Sequence, residues 1–468
     1  MNLFAIFKYQ LYLFQLEEYK ITSYFKLLLR KGYLRPKQPL RKKLVWTQKA
    51  IGIFALSQTI ATIIFLLLLF KASSLFAFLW LFICFLMVAP FIFVLTSLLL
   101  LPLETLIKKF IIAKAKKMIA KEKTRGLKII AIAGSYGKTT LKNTLLTILS
   151  IKLKTEATPE SVNTPLGIAQ WILKTIKEKK DVLIIEMGEH YKGDIQYLCS
   201  LFPPDIAVLT GVNEAHLERL GSIEKSISAL FEVVENSPKE SLTFLNSDDD
   251  NIKNNYQKYS QGKNIILFDS AEISDKNFSP DGLFWQANFP EIGEVNIHCL
   301  GEYSLTNALL TIKIGKALGL SAQEIKKGIY SIKPVEHRLQ PILTPNNILI
   351  IDDAYNGNPN GVREAINVLS RFSNRRKIFI TPGLVEMGME KEKIHRQIGE
   401  HLAKVADKVI LINNSASIFI EQGLKTAGYN AANIIWFATA QKAFDGLKDI
   451  LQPNDVCLMQ NDWGDQYA

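Results

Sequence analysis

Cysteine is scarce and dispersed in this chain of 468 residues: Cys84, Cys199, Cys299 and Cys457 are all there is, and no two lie close together. That spacing excludes a zinc-ligand signature and a disulfide framework, and it suits a reducing compartment. Acidic residues number 44 against 56 basic ones, leaving a formal net charge of +12. The excess gathers near the N-terminus, which points to a membrane surface and away from nucleic acid. Internal repeats and low-complexity tracts are absent, so repeat architectures are set aside. A cleaved signal peptide is not expected, because the first long apolar run starts too late. The length suits two or three domains.

What is present begins with apolar sequence. Residues 51–70 and 75–101 are almost wholly apolar, and each reaches the roughly 20 residues that a transmembrane helix needs. Only Lys71, Ala72, Ser73 and Ser74 separate them, so a tight helical hairpin is expected. Basic residues flank it on both sides, from Lys26 to Lys49 before and from Lys108 to Arg125 after. Positive charge at both ends predicts a multi-pass protein of the cytoplasmic membrane with both flanks in the cytoplasm. Two buried core helices are the plainer alternative. Residues 3–30 mix Phe, Tyr and Leu with Lys, and read as an amphipathic helix on the membrane or as one packed on the soluble part.

From about residue 126 strand-like runs alternate with helical stretches. The runs are 129–133, 182–186, 206–210, 264–268, 348–352, 377–381, 408–412 and 456–459. That alternation predicts an α/β fold with mainly parallel sheets, whose ligands bind at the carboxyl ends of strands. The first run continues into Gly134-Ser135-Tyr136-Gly137-Lys138-Thr139-Thr140 and a helical segment. This is the strand–loop–helix layout of a phosphate-binding loop (P-loop). Backbone N–H groups face the phosphates, Lys138 offsets charge and Thr139 can ligate Mg²⁺. The full pattern wants glycine five residues before Gly137, where Ile132 stands. The second run ends in Glu186, an acid placed to hold a phosphate-bridging metal or simply to be solvated at a strand tip. The third is followed by His216, and a lone histidine is more often structural than a ligand. Asp248 and Asp249 read as a turn after a strand.

These segments together resemble the Mur ligase family, in its branch that adds D-alanyl-D-alanine. The resemblance is carried by Gly134 to Thr140, Glu186-Met-Gly188 with Gly193-Asp194-Ile195, and Glu214-Ala-His-Leu-Glu218 with Gly221-Ser222. It continues through Leu245-Asn-Ser-Asp-Asp249, Gly301-Glu-Tyr-Ser-Leu-Thr-Asn-Ala308 and His337-Arg-Leu339. Ile351-Asp-Asp-Ala-Tyr-Asn-Gly-Asn-Pro359, Glu386-Met-Gly388 and His395 complete it. It implies a central P-loop ATPase domain over 126–335 and a Rossmann-like C-terminal domain over 336–468, after a membrane region over 1–125. It further implies an ATP-dependent amide ligase of cell-envelope and peptidoglycan precursor synthesis. ATP would phosphorylate a carboxylate, and an amine, an amino acid or dipeptide, would attack the acyl phosphate. Lys138, Glu186 and His216 would be catalytic. Thr139 and Glu186 would ligate one Mg²⁺, and His216 would help hold a second. Asn307 would read adenine, Arg338 would lie at the nucleotide and Asp353 would bind the ribose. Tyr355, Asn356 and Asn358 would position substrate or form a turn, and His395 would line the cleft or lie on the surface.

The chain departs from the family at four places. Leu230 stands where these ligases commonly carry a lysine, often carbamylated. Tyr303-Ser304 replaces His-Asn in the adenine motif. Thr381-Pro-Gly-Leu384 and Gln460-Asn-Asp-Trp-Gly-Asp-Gln-Tyr467 replace two acceptor-binding loops. The membrane hairpin occupies the place of the UDP-sugar-binding domain. A muropeptide-like carboxylate, lipid-linked and presented at the membrane, would need no such domain; a soluble substrate with a tethered enzyme is the plainer reading. A membrane-bound polyglutamate-type ligase and a non-catalytic, ATP-binding pseudo-ligase are the alternatives.

Overall fold

The computed structural model describes residues 3–461, apart from 18, 32–43, 72–73, 161, 190, 215–219, 280, 356 and 386. The chain divides into two compact units, one up to Phe110 and the other from Ile111 onward.

Among the described residues of the first unit four helices follow one another: α1 (Leu3–Leu16), α2 (Ile21–Lys31), α3 (Gln48–Lys71) and α4 (Leu75–Lys123), the last running on into the second unit. Residues 3–30 are therefore two helices rather than one, broken where Tyr19 takes φ 64°. Helix α1 is apolar nearly all round, so it is buried rather than amphipathic. Phe7, Leu11 and Phe14 pack with Ala50 and Ile53 of α3 and with Ile92 and Phe93 of α4. Of the tyrosines buried there, Tyr24 donates through Oη to Gln10 Oε1 at 2.5 Å. The second expected span is only the first part of α4, which runs 49 residues through Pro90 and Pro102 into the basic segment. Gln48–Phe70 and Pro90–Lys123 are each long and apolar enough to cross a membrane, by length and composition. Much apolar surface on these helices is exposed, including Leu66, Leu67, Phe70, Phe91 and Leu99.

Among the described residues the second unit holds three sheets. The first is wholly parallel, in the order β2-β3-β1-β4-β5-β6. Its strands are β1 (Lys128–Ala133), β2 (Thr155–Ala157), β3 (Val182–Glu186), β4 (Ile206–Leu209), β5 (Leu242–Asn246) and β6 (Asn264–Phe268). Alternation along β1 sends Ile130 and Ile132 into one apolar cluster and Ile129, Ala131 and Ala133 into another. Both faces are thus covered, which is why β1 reads as a continuous apolar run. Ala115 and Ile119, near the end of α4, lie in the second of these clusters.

A small antiparallel sheet follows: β7 (Ser274–Phe278), β8 (Trp285–Phe289) and β9 (Gly293–Ile297). Its polar, Asn- and Gly-containing strands gave no strand-like run in the sequence, yet Trp285, Ala287 and Phe289 bury one face against the central core. The last sheet has the order β10-β11-β15-β12-β13-β14 and is parallel except for β10. Its strands are β10 (Gln340–Leu343), β11 (Leu349–Asp353), β12 (Arg376–Thr381), β13 (Lys408–Ile412), β14 (Ile434–Phe437) and β15 (Asp455–Gln460). The α/β architecture expected from residue 126 onward is the one observed.

Candidate active site

The phosphate-loop segment leaves the central strand β1 and enters helix α5 (Lys138–Leu149). Ile132 lies inside β1, paired with Glu186 of β3, so the loop begins only at Gly134. Gly134 has φ 144°, and a Cβ there would lie 2.1 Å from Thr210 Oγ1. Gly137 caps α5 at φ 80° with no side-chain cap, which leaves the first backbone N–H groups of the helix for a ligand. Thr140 continues the first turn of α5.

The loop is held from below. Ser135 N–H donates to the Gly211 carbonyl at 2.8 Å, and Thr210 Oγ1 donates to the Tyr136 carbonyl. The Tyr136 ring packs on Gly211, where a Cβ would sit 2.1 Å from Cζ. Its hydroxyl donates to Asp249 Oδ2 at 2.8 Å, and burial together with that carboxylate raises the hydroxyl pKa. Asp249 also accepts from Val212 N–H at 2.9 Å and caps helix Asp250–Tyr259 through Ile252 N–H at 3.0 Å. It is a buried strut of the loop, more than a turn residue. Asp248 does serve a turn, accepting from Ser270 N–H at 2.9 Å.

Two lysines and two glutamates meet at the loop. Lys138 Nζ donates to the Gly134 carbonyl and lies 3.2 Å from the carboxylate of Glu189. Thr139 Oγ1 donates to Glu186 Oε2 at 3.1 Å. Lys142, one helical turn beyond Lys138 and 1% exposed, places Nζ 3.0 Å from the same oxygen. Sequence reasoning did not single out Glu189 or Lys142. The i, i+4 spacing of Lys138 and Lys142 was the available signal for the second. His216 lies outside the described residues, as do Asn356 and Glu386.

A second group forms around the end of β11. Asp353 accepts from Leu339 N–H at 3.2 Å. Burial pushes its carboxyl up to about 7, against the pull of Arg338 and of that N–H. Asp352 Oδ2 lies 2.7 Å from His337 Nδ1 and raises the imidazole pKa. His337 and Leu339 take φ 58° and 44°, rare for residues with a Cβ. The two aspartates pin this left-handed segment, and Arg338 between them lies 4.9 Å over the Tyr355 ring. Helix Tyr303–Ala317 faces the same carboxylate: Tyr303, one turn before Asn307, has its hydroxyl pKa raised by burial and then by Asp353. The buried Nδ2 of Asn307 has no hydrogen-bond partner among the described residues.

The two unusual C-terminal loops are joined. Thr381 Oγ1 donates to Gln460 Oε1 and accepts from Gly383 N–H, both at 2.8 Å. Asn461 Nδ2 donates to the Gly383 carbonyl at 2.5 Å. Residues 462–467 lie outside the described ones. His395 is fully buried, neither lining a cleft nor on the surface. Its Nε2 accepts from Leu384 N–H at 2.8 Å and its Nδ1 faces the Lys391 carbonyl at 2.5 Å, so it braces the same loop. Burial lowers its pKa. Asn358 caps helix Pro359–Ser370 through Gly361 N–H at 3.0 Å. Leu230 is fully buried in the apolar cluster behind β1 and β3.

Residues 132–315 match the Mur ligase middle domain, and residues 337–460 match the Mur ligase, glutamate ligase domain. The chain is similar to the UDP-N-acetylmuramoyl-tripeptide–D-alanyl-D-alanine ligase of Bacillus subtilis, 26% identical over 302 residues, 64% of this chain and 66% of that protein. The Borreliella burgdorferi enzyme of the same name is 32% identical over 303 residues, 62% of this chain and 63% of its own length. The match thus spans a little under two-thirds of these curated relatives. Among solved structures, MurF from Acinetobacter baumannii shares the fold with a TM-score of 0.65 at 24% identity, covering 76% of this chain and 78% of that one. The MurF ligase of Thermotoga maritima in complex with ADP also gives 0.65, at 22% identity over 75% and 80%. Two domains matched in order, over more than half of the chain, put this protein in the Mur ligase family.

Proposed function

We propose that this chain is an ATP-dependent, ADP-forming carboxylate–amine ligase of peptidoglycan precursor synthesis. The observation that carries the reading is the buried Asn307 amide, unpartnered among the described residues, one turn along the helix from Tyr303, whose hydroxyl feels Asp353 and Arg338, in the same unit as an uncapped glycine loop bearing Lys138. A buried amide donor with no protein acceptor is costly unless a ligand completes it. Adenine offers ring-nitrogen acceptors, a ribose offers hydroxyls to Asp353, and the triphosphate offers anionic oxygens to the loop. ATP fits this donor and acceptor set.

Mg²⁺ fits as well. It takes one or two protein ligands, keeps waters and bridges phosphates, which suits the hydroxyl of Thr139 with the carboxylate of Glu186. When bound, it would neutralise charge on the β- and γ-phosphates. Lys138 would add positive charge along the transferring phosphoryl group. A carboxylate oxygen of the first substrate attacks the γ-phosphorus, and ADP leaves. The amine of the second substrate then attacks the acyl carbon, and phosphate leaves from the tetrahedral intermediate. By the family resemblance alone, His216 would help hold a second Mg²⁺ near the acyl phosphate.

The relatives' names point to a UDP-linked muramoyl tripeptide and D-alanyl-D-alanine as the substrate pair. In this chain α3 and the apolar first part of α4 precede the ligase part, and we propose that they cross the cytoplasmic membrane with the catalytic part in the cytoplasm. A lipid-linked muropeptide would then meet the site at raised effective concentration.

The test is ADP release by the detergent-purified protein, with Lys138→Ala as control. Acceptors are UDP-linked and lipid-linked muropeptides, each with D-alanyl-D-alanine or other amines. Turnover that needs both a muropeptide and an amine supports the ligase, and the preferred carrier decides the membrane question. Nucleotide binding with no acceptor-dependent turnover favours a polyglutamate-type ligase and then a pseudo-ligase.

A further inference from the structure

Asn213 follows β4 and is 3% exposed. Its backbone N–H donates to Ser135 Oγ in the phosphate loop at 3.2 Å. Its side-chain Nδ2 donates both hydrogens forward, to Asn358 Oδ1 at 3.0 Å and to Asn360 Oδ1 at 3.1 Å. Asn358 cannot turn its amide over without cost, because the same oxygen caps Gly361 N–H. Two carbonyl oxygens therefore converge on one NH₂ group. An amide satisfies that arrangement; a carboxylate of the same shape would oppose it.

The partners on the two sides belong to different halves of the site. Ser135 lies in the loop proposed to hold phosphates. Asn358 and Asn360 lie a few residues beyond Asp353, at the start of helix Pro359–Ser370. A second tie joins the same two domains at the helix that carries Asn307. There Arg371 Nη2 donates to Glu302 Oε2 at 2.8 Å, and Glu302 N–H donates to Glu364 Oε1 at 2.5 Å. The domains are thus fastened beside the adenine-reading helix and again beside the phosphate loop.

We infer that Asn213 is a positioning residue that fixes the phosphate half of the site against the ribose half, so that both ends of one nucleotide are engaged together. This rests on the reading of the site as an ATP site. Its energetic signature is that of a linkage: a tie between two half-sites strengthens a ligand that spans them and leaves each fragment alone unaffected.

The experiment measures binding of ATP in the absence of acceptor, and separately of adenosine and of inorganic tripolyphosphate, to the full-length protein in detergent. Wild type, Asn213→Ala, Asn360→Ala and the double variant are compared. The expected result is a loss of roughly five- to tenfold in ATP affinity for Asn360→Ala, the effect of one buried hydrogen bond, and a larger loss for Asn213→Ala, which removes two. The double variant should be no weaker than Asn213→Ala, and affinities for adenosine and tripolyphosphate should stay at the wild-type level. Additive losses, or tripolyphosphate weakened as much as ATP, would overturn the inference, since the residue would then merely support the loop. Unchanged ATP affinity in both single variants overturns it too. A wild-type protein that binds no adenine nucleotide sinks the ATP reading and the inference together.

Discussion

At the scale of single residues, the phosphate-loop lysine has an anion of its own. Glu189 is buried against Lys138, where a phosphate would carry the same charge. The carboxylate and the nucleotide therefore compete for one ammonium. Glu189→Gln is expected to tighten ADP binding several-fold, measured by calorimetry without added Mg²⁺; weaker binding would mean that Glu189 helps the ligand instead. Asp353 supplies a pH dependence. Its folded pKa, about 7, lies above the ordinary carboxyl value, so the folded protein keeps this proton longer than the unfolded chain does. Its contribution to stability is complete below the ordinary value and is lost as pH rises towards 7. Tm followed from pH 4 to 8 should show this fall, and Asp353→Asn should flatten it. Glu186 was singled out in the sequence because it ends an apolar run, and Lys138 and Thr139 because they follow a glycine-bearing loop after one. Glu189, Lys142 and Asn213 were not, since their partners are 51, 44 and 145 residues away.

At the scale of elements, direction matters more than identity. Position 230 carries leucine where the family commonly has lysine, and a lysine there reads from sequence as a restorable ligand. In the fold that side chain points into the apolar cluster shared with Ile185, Phe231 and Val234. Leu230→Lys would bury an ammonium without a partner, and is expected to cost on the order of 3 kcal/mol and to lower Tm, with no gain of activity in bicarbonate. Parallel strands such as β1 and β3 were readable because burial on both faces leaves continuous apolar runs. The sheet β7-β8-β9 escaped notice because only one of its faces is buried and its strands are short and polar. His395 read from sequence as a cleft residue or a surface residue on a charged helix, but one face of that helix packs inward and carries it.

At the scale of the whole molecule, the packing boundary at residue 110 falls inside α4. Its last turns supply Ala115 and Ile119 to the core behind β1. A protein beginning at Ile111 should stay soluble without detergent and bind ADP like the full chain, whereas one beginning after Lys123 should show a lower Tm. Equal Tm values for the two would mean that the end of α4 adds nothing to that core. Sequence alone determined the two long apolar helices, the parallel α/β order and the phosphate loop, because hydrophobic period and glycine placement act within a few residues of the chain. Tertiary structure alone decided which acids face Lys138, which helix brings Tyr303 to Asp353, and that Asn213 reaches Asn358. These depend on strand order and on contacts between distant segments, which no local pattern encodes.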